Sequence, residues 1–375
     1  MSNTLLNAEI ERFGEIGIPG VSAAIATRKG VIWSHSAGFA DLTDHVPMTQ
    51  DHALGIGSIT KTFVSVLVFQ LVQEGRLTLE ATPSSILGSS IVEGIANADS
   101  ATIEQLMNHT AGVPSWEDDP AWIRDARGKN IEPPRTWDKY APLDYIRGPG
   151  HPALFPAGQS FSYSNTNFTL LGLIIEHVTA SSLQFELRRR IIEPLELTHT
   201  YLEGFEERDS IQLPRRYHYA TDTFRQTAGI ADSFCEQSHG LIDVTGSNLS
   251  VEWAAGGIVS SPRDLVRFGL ALRDGKLLST GMQDRMRTWI SARPNADAGC
   301  GLFRFDTKDG FLNGHNGSVL GFTASFWWAE TGDCVAAVLA NVGSMHAGVI
   351  PAGASDVALN GNFPALARVH ANRYT

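Results

Sequence analysis

The sequence of 375 residues predicts an α+β fold, in which an antiparallel sheet flanked by helices is built from both ends of the chain. Three observations support this prediction: β-like runs near the N-terminus, further β-like runs near the C-terminus, and helical patterns between them. We expect one domain over residues 1–375. Its α/β subdomain would take residues 1–75 and 265–375, and a mostly helical inserted subdomain would take residues 76–264.

The strands are predicted from short runs rich in β-branched and aromatic residues. Residues 21–27 and 31–40 are two such runs, and Arg28, Lys29 and Gly30 between them are typical of a hairpin turn. Residues 322–329 and 334–340 have the same character near the other end of the chain. Both ends are therefore expected to contribute to one sheet.

The most apolar segment, residues 59–72, predicts a helix through the middle of the domain. Apolar side chains occur on nearly every side of it, and Gly75 follows at the position expected of a C-terminal cap. Further helical patterns lie at residues 103–108, 167–178, 183–192 and 262–272.

Composition excludes several classes of function. A net charge of −11, with no run of Lys or Arg, argues against nucleic-acid binding. No stretch reaches the roughly 18–20 apolar residues that would cross a bilayer, and the first residues lack the features of a secretory signal. Cys235, Cys300 and Cys334 have no paired spacing, which suits free thiols. We therefore expect a cytoplasmic protein without a membrane partner.

The first candidate for chemistry is Ser58 with Lys61. Their spacing of three places both side chains on one side of the predicted helix, close to its first turn. Burial lowers the pKa of a lysine and makes it a proton acceptor beside a hydroxyl. The alternative is that Ser58 caps the helix and Lys61 extends to solvent.

The second candidate is the segment 155–165, which contains Tyr163 and Asn165. Proline and glycine indicate a loop, and residues two apart in an extended loop face the same way. A lysine ammonium near Tyr163 would stabilise the phenolate, which can take a proton from serine. Alternatively, Asn165 caps the following helix and Tyr163 serves only in packing.

The third candidate is the segment 313–322 around His315. Its small residues would let a strand edge lie close to another backbone or to a ligand, and one of its N–H groups would complete an oxyanion hole. No pair of His or Glu residues with the spacing of metal ligands lies around His315, so we expect no metal there.

A different character marks residues 115–155, which combine prolines, mixed charge and three tryptophans: Trp116, Trp122 and Trp137. We interpret this segment as a lid or binding loop. Its acidic residues Glu117, Asp118 and Asp119 would hold a substrate ammonium group, or else form a solvated loop.

In this order, the three candidate segments resemble the motifs Ser-x-x-Lys, Tyr-x-Asn and Lys/His-x-Gly of the serine β-lactamase and penicillin-binding-protein superfamily. The resemblance is to its class C-like branch, which includes D-aminopeptidases, D-amino-acid amidases, D-alanyl-D-alanine carboxypeptidases and esterases. Residues 108–114, 192–195 and 255–260 are also similar to recurrent segments of that branch, so the resemblance covers residues 18–341.

The resemblance implies a β-lactamase/transpeptidase-like fold and an acyl-enzyme mechanism without a cofactor or metal. Ser58 would attack a carbonyl, while Lys61 and Tyr163 would share the proton transfers. Asn165 would hold the amide part of the substrate. The substrate would also contact the third motif, His315, Asn316, Gly317 and Ser318, and the N–H groups of Ser58 and Ser318 would form the oxyanion hole.

One departure from the family pattern concerns His315. Class C β-lactamases carry lysine there, and a histidine is mostly neutral at pH 7, so efficient β-lactamase activity is not expected. We expect a serine hydrolase that cleaves small amides or peptides, with D-amino-acid amides or D-peptides as candidates.

Two alternatives remain at this stage. The first is a carboxylesterase or acyltransferase of the same fold, in which the tryptophan-rich segment forms an apolar pocket. The second treats Gly55, Ile56 and Gly57 as a phosphate-binding turn.

Overall fold

The structure is a computed structural model, and it describes residues 2–133, 135–207, 210–308, 310–348, 353 and 362–374. Its strands are β1 (Gly20–Thr27), β2 (Gly30–Asp41), β3 (Val46–Pro47), β4 (Leu54–Gly55), β5 (Tyr201–Leu202), β6 (Tyr217–Tyr219), β7 (Cys235–Glu236), β8 (Leu241–Asp243), β9 (Ile258–Ser260), β10 (Ile290–Arg293), β11 (Ala296–Ala298), β12 (Phe303–Thr307), β13 (Gly310–Val319), β14 (Phe322–Ala329), β15 (Val335–Ala340) and β16 (Val342–Gly343).

The helices are α1 (Ser2–Glu15), α2 (Thr60–Gln73), α3 (Pro83–Leu87), α4 (Ser89–Val92), α5 (Ile103–Met107), α6 (Pro120–Arg127), α7 (Ala141–Asp144), α8 (Asn165–Thr179), α9 (Leu183–Leu187), α10 (Asp222–Thr227), α11 (Trp253–Gly256), α12 (Pro262–Arg273), α13 (Thr280–Met286) and α14 (Phe363–Ala371). Short 3-10 turns occupy Gly57–Ile59, Trp116–Asp118 and Ser238–Gly240, and a π-helical turn occupies Arg188–Ile192.

Both ends of the chain contribute to one nine-stranded sheet, as predicted. Its order is β10-β11-β12-β13-β14-β15-β1-β2-β3, and all neighbouring pairs are antiparallel. An inner pair, β15 with β1, joins the last and the first strand of the sheet along the chain, with Val21 opposite Ala340. The predicted α+β fold is therefore confirmed.

Helices cover both faces of this sheet. On one face α2 and α12 pack in the main core, where Phe63 stacks on Phe268 with ring centroids 3.7 Å apart. On the other face α1 and α14 bury residues such as Phe13 and Phe363 against the strands. The α2 helix is almost entirely enclosed, because apolar side chains surround it and leave no face for solvent.

The inserted region contains the predicted helices, but also short strands that the sequence did not indicate. Strands β6, β7 and β8 form a sheet with β16, and β5 pairs with β9, which also pairs with β4. Each of these strands has only two or three residues, too few to show a period-two pattern. The boundaries proposed for the two subdomains remain a prediction.

In the described part of the chain, no single helix has the length and hydropathy needed to cross a membrane. Helix α8 and the helical segment 183–192 meet those criteria only as a pair, and they are bent by 80° relative to each other.

Candidate active site

Ser58 and Lys61 lie side by side where a 3-10 turn leads into α2. Lys61 Nζ donates a hydrogen bond to Ser58 Oγ at 3.0 Å and another to the Ala255 carbonyl oxygen at 2.6 Å. Lys61 has no exposed surface, so it does not extend to solvent. Ser58 is not a side-chain cap of α2, because the N-cap residue is Ile59 and no side chain caps it.

The environment of Lys61 favours its neutral form. Burial lowers the pKa of the ammonium from 10.5 to about 7, and the carboxylate of Glu117 opposes part of this shift. A substantial fraction of Lys61 is thus unprotonated near pH 7. An unprotonated amine within hydrogen-bond distance of a hydroxyl is the arrangement that general-base activation of a nucleophile requires.

Tyr163 is also buried beside this pair, but its pKa moves in the direction opposite to the expected one. Lys61 Nζ lies 5.0 Å from the centre of the phenol ring, over its face. Burial raises the pKa of Tyr163, the hydroxyl of Ser58 lowers it in part, and Glu117 raises it further. The expected stabilisation of a phenolate by Lys61 is therefore wrong for the free protein, because loss of solvation outweighs it.

The Tyr163 hydroxyl is neutral and lies beside Ser58, whose hydroxyl acts on its pKa as a hydrogen-bonding neighbour. The contact falls outside strict hydrogen-bond geometry, so among the described residues this buried hydroxyl has no well-formed partner. A buried hydroxyl without a hydrogen-bond partner is unfavourable, unless a ligand or water supplies the missing hydrogen bond.

The turn that carries Ser58 is packed directly against strand β13. Gly57 has φ +51°, and a Cβ atom there would lie 2.8 Å from the Ser318 nitrogen. A Cβ atom at Gly317 would lie 1.9 Å from the Ile56 carbonyl oxygen and 3.2 Å from the Ser58 nitrogen. This close approach brings the backbone at Ser58 and the backbone at Ser318 together, as the sequence suggested for small residues on a strand edge.

The same contact argues against the phosphate-binding alternative at residues 55–57. A phosphate-binding turn needs open space in front of its backbone N–H groups. Here Gly317 and Ser318 fill the space beside Gly57, and Leu54–Gly55 pairs with β9.

His315 on β13 is buried and neutral. Burial lowers its pKa to about 3, and the nearby Lys61 contributes. Nδ1 lies 2.5 Å from the Asn316 carbonyl oxygen, to which it donates, so the proton sits on Nδ1. Nε2 is left as a buried acceptor without a partner among the described residues.

Asn165 and Glu117 form the neighbouring part of the site. Asn165 is the first residue of α8 rather than its cap, which is Ser164. The Asn165 side-chain amide donates to a carboxylate oxygen of Glu117. Burial raises the pKa of Glu117, while Arg127 and Lys61 lower it.

These residues line one cavity of about 370 Å³, within the usual range for small-molecule sites. All the candidate residues of the three motif segments line it except Lys61, which is hydrogen-bonded to Ser58. The cavity is lined by Ser58, Glu117, Phe161, Tyr163, Asn165, Glu252, Arg293, Phe303, Phe305, His315, Asn316, Gly317, Ser318 and Met345.

Sequence reasoning missed the remaining wall residues. Phe161, Phe303 and Phe305 form an aromatic wall, in which the rings of Phe303 and Phe305 are 5.9 Å apart. Glu252 pairs with the buried Arg127 in the wall near Glu117. The aromatic alternation along β12 was a possible signal, whereas Glu252 lies in a loop with no distinguishing pattern.

The tryptophans of residues 115–155 do not form the apolar pocket that the esterase alternative assigned to them, although Glu117 of the same segment lines the cavity. Trp116, Trp122 and Trp137 are buried in the core, and none lines the cavity. Trp116 donates its indole N–H to Thr169 on α8 and packs against Trp122 at 4.6 Å. These large rings hold the segment against α8.

Of the three acidic residues in that segment, only Glu117 lines the cavity. Asp119 instead caps α6, where its carboxylate accepts the backbone N–H groups of Ala121 and Trp122. Asp118 is exposed. Among the described residues, no cluster of three or more His, Cys, Asp or Glu side chains has the arrangement of a metal site.

A family profile matches most of this chain, and known proteins match parts of it. The sequence profile of the beta-lactamase family matches residues 6–355. Protein flp of Staphylococcus aureus (strain NCTC 8325 / PS 47) is 29% identical over 185 residues, which are 49% of this chain and 34% of that protein. The chain thus spans about a third of the length of that relative. Penicillin-binding protein 4* of Bacillus subtilis is 24% identical, over 68% of this chain and 52% of its own length.

Two solved structures are similar over nearly the whole chain. A D-amino acid amidase from Ochrobactrum anthropi SV3, solved with L-phenylalanine, has a TM-score of 0.82 and 26% identity, covering 99% of each chain. A D-stereospecific amidohydrolase from Streptomyces sp. has a TM-score of 0.78 and 27% identity, covering 91% of this chain and 94% of that one.

Proposed function

The chain belongs to the beta-lactamase family, and from that premise we propose that it is a serine hydrolase that cleaves small amides or peptides through an acyl-enzyme on Ser58. The observation that carries the proposal is the 3.0 Å hydrogen bond between Ser58 Oγ and Lys61 Nζ, together with the burial that lowers the pKa of this lysine to about 7. A serine beside an unprotonated amine is an activated nucleophile.

In the proposed first step, Ser58 Oγ attacks the substrate carbonyl carbon and its proton passes to Lys61 Nζ. The N–H groups of Ser58 and Ser318 stabilise the oxyanion that forms. The close packing of Gly57 and Gly317 supports this role, because it brings those two backbones together.

Collapse of the tetrahedral intermediate breaks the C–N bond and leaves the acyl group on Ser58. The departing amine takes a proton from Tyr163, which is neutral and able to donate, and the phenol regains a proton from Lys61. Water then hydrolyses the ester by the reverse proton path. Lys61 is thus the base of the first step, and Tyr163 is a proton donor to the leaving group.

The cavity walls suggest a substrate with a free amino group and an aromatic or other apolar side chain. Glu117 supplies a carboxylate to one part of the cavity, whereas Glu252 is paired with Arg127, and Phe161, Phe303 and Phe305 form an apolar part. Asn165 presents a buried Oδ1 without a partner among the described residues, which suits a substrate N–H. An amino-acid amide matches this combination of groups.

The two amide-cleaving structural relatives support D-amino-acid amides as the first substrates to test. A β-lactam is a poorer match. His315 is neutral and offers only an acceptor, so it provides no positive charge for the carboxylate of a β-lactam.

The alternative of a carboxylesterase or acyltransferase keeps the same nucleophile. In that case the apolar pocket for the substrate would be the aromatic wall of Phe161, Phe303 and Phe305, and not the tryptophan-rich segment. Activity on D- and L-phenylalanine amides, compared with activity on esters of the same acids, separates an amidase from an esterase. An esterase cleaves the esters but does not cleave the amides.

A second experiment tests the recognition of the amino group. We expect Glu117→Gln to reduce kcat/KM for phenylalanine amide by about 10–100-fold more than for 3-phenylpropanamide, which lacks the ammonium group. Asp118→Asn is the matched control, since Asp118 is exposed and does not line the cavity. Equal losses on both amides would contradict a role of Glu117 in binding the ammonium group.

For its cellular setting we propose the cytoplasm, since Cys235, Cys300 and Cys334 are all unpaired. The proposed partner is a small-molecule substrate, without nucleic acid or a membrane, and the proposed chemistry needs no cofactor.

A further inference from the structure

His109 is a buried residue outside the cavity lining. It contacts the ring of Tyr163 and the residues that precede and follow Tyr163 in the chain. Its Nδ1 accepts the backbone N–H of Ser164 at 3.2 Å, and its carbonyl oxygen accepts the backbone N–H of Ser162 at 3.0 Å. Its ring centroid lies 4.3 Å from that of Tyr163, with the planes tilted by 30°. His109 therefore contacts the phenol ring and Ser164 through its side chain, and Ser162 through its backbone carbonyl.

The backbone of His109 ends helix α5. His109 has φ +62° and comes directly after the C-cap residue Asn108. The Thr110 N–H donates to the Gln105 carbonyl oxygen at 2.9 Å, so the left-handed residue closes the helix in a common way. The chain then contacts the segment that leads to Tyr163, where the Gly158 N–H donates to the Thr110 carbonyl oxygen at 2.8 Å.

The hydrogen bonds also define the protonation state of His109. Nδ1 faces the N–H of Ser164, and the side-chain amide of Asn167 lies 3.4 Å away. A ring nitrogen that accepts a hydrogen bond carries no proton, so the proton of the neutral ring is on Nε2. Burial, with the charges of Lys61 and His315, lowers the pKa of His109 well below its usual value.

We propose that His109 is a positioning residue, which holds the Tyr163 hydroxyl at the distance from Ser58 and Lys61 that proton transfer requires. The proposal rests on the function proposed above, since it assigns a purpose to His109 only if Tyr163 donates a proton. Tyr163 lies in a loop and its hydroxyl has no hydrogen-bond partner among the described residues. The rings of Phe303 and His315 pack near the phenol, but His109 has the shortest ring contact with it and also holds both neighbouring residues by hydrogen bonds.

The test separates the hydrogen-bond acceptor of His109 from its bulk. His109→Leu keeps comparable volume and removes the acceptor, whereas His109→Asn places an amide oxygen close to the position of Nδ1 and tolerates a left-handed backbone. The rate constant for labelling Ser58 with a fluorophosphonate is the first measurement, because it needs no natural substrate. The kcat and KM for phenylalanine amide are the second.

We expect His109→Leu to lower kcat by about 10–100-fold with KM within about threefold, since misplacement of a catalytic group acts mainly on turnover. The labelling rate constant should stay within about threefold of that of the wild type, because fluoride departs without the proton that Tyr163 supplies to an amine. His109→Asn should recover most of the loss of kcat. In a Tyr163→Phe background, His109→Leu should reduce kcat by less than about threefold, because there is no hydroxyl left to position. If His109→Leu does not fold, His109→Ala, which introduces no new contacts, takes its place.

Two results would overturn the inference while leaving the proposed function intact. The first is that the losses of kcat caused by His109→Leu and Tyr163→Phe add fully in the double variant. The second is that His109→Asn has a kcat as low as that of His109→Leu. A wild-type rate in Tyr163→Phe would overturn the proposed role of Tyr163 and this inference together. Absence of any labelling of Ser58 in the wild-type protein would instead contradict the proposed function itself.

Discussion

Lys61 Nζ lies 2.6 Å from the carbonyl oxygen of Ala255, so the amine that faces Ser58 is held from its other side by backbone. The Ala255 carbonyl belongs to α11, a short helix that packs against both α2 and α8. A base fixed in this way loses little conformational freedom when it accepts a proton, and its hydrogen bond to the carbonyl strengthens once it is charged.

If Ser58 and Lys61 act as a unit, the losses of turnover caused by substituting each of them should not add. We expect Ser58→Ala and Lys61→Ala each to reduce turnover by several orders of magnitude with the fold intact, and the double variant to be no slower than the worse single one. A fluorophosphonate should label the wild-type protein once, at Ser58. Steady-state kinetics and peptide mapping by mass spectrometry check both points, and a label on another residue would rule out the mechanism.

The dependence of kcat/KM on pH should follow the ionisation of Lys61. Because the base must be unprotonated and its pKa is lowered to about 7, activity should rise with pH and level off above about 8. Glu117 raises the pKa of Lys61, so Glu117→Gln should move the midpoint to lower pH. Profiles from pH 5 to 9 with an uncharged amide substrate check this, and a profile that is flat across pH 7 would contradict it.

Lys61 should also reduce the stability of the protein. Its pKa is lower in the folded than in the unfolded chain, so this penalty is fully present below about pH 7 and vanishes as the pH rises toward 10.5. We expect Lys61→Met to abolish turnover but to increase the free energy of unfolding at pH 7 by roughly 1–3 kcal/mol. Urea denaturation at pH 7 and pH 9.5 measures the gain, which should be smaller at the higher pH.

The contact between Gly317 and the turn of Ser58 should tolerate no side chain. A Cβ atom 1.9 Å from the Ile56 carbonyl would push β13 away and separate the two oxyanion N–H groups, so Gly317→Ala should lower kcat by at least about 10²-fold. Gly281→Ala in α13 is the matched control, since a Cβ atom there meets no other group within 4 Å. Full activity of Gly317→Ala would exclude this arrangement of the oxyanion hole.

A β-lactam should react slowly with this protein because His315 is uncharged. Introducing a cation by His315→Lys should increase the rate of acylation by carboxylate-bearing β-lactams by a modest factor, on the order of tenfold. Stopped-flow measurements with nitrocefin compare the two proteins. Rapid hydrolysis by the wild type would show that recognition of the carboxylate does not depend on this position.

Local spacing accounts for the part of the site that the sequence predicted. Ser58 and Lys61 are three residues apart, so the helical repeat alone brings them together, and Tyr163 and Asn165 share a side of an extended segment. The hairpin at residues 20–41 and the apolar runs of β14 and β15 were predictable for the same reason, since each pattern is complete within one element.

Features that depend on distant contacts were not predictable. Glu252 and Arg293 reach the cavity from a loop and an edge strand, and nothing in their local sequence distinguishes them from surface residues. The direction in which the Tyr163 pKa shifts depends on how completely the ring is buried, and only the assembled core determines that burial. The tryptophans at 116, 122 and 137 were misplaced because proline-rich, aromatic composition does not separate a lid from a buried segment.

The pairing of β1 with β15 also has a consequence for synthesis of the chain on the ribosome. Ser58 is translated well before the strand edge that faces it, since Gly317 follows it by 259 residues and β15 comes later still. At roughly 5–20 residues per second, the nascent chain carries the serine for an interval without the facing N–H group of Ser318. Hydrolytic activity should therefore appear only after β13 and β15 have left the ribosome, and formation of the sheet must wait for contacts between distant parts of the chain.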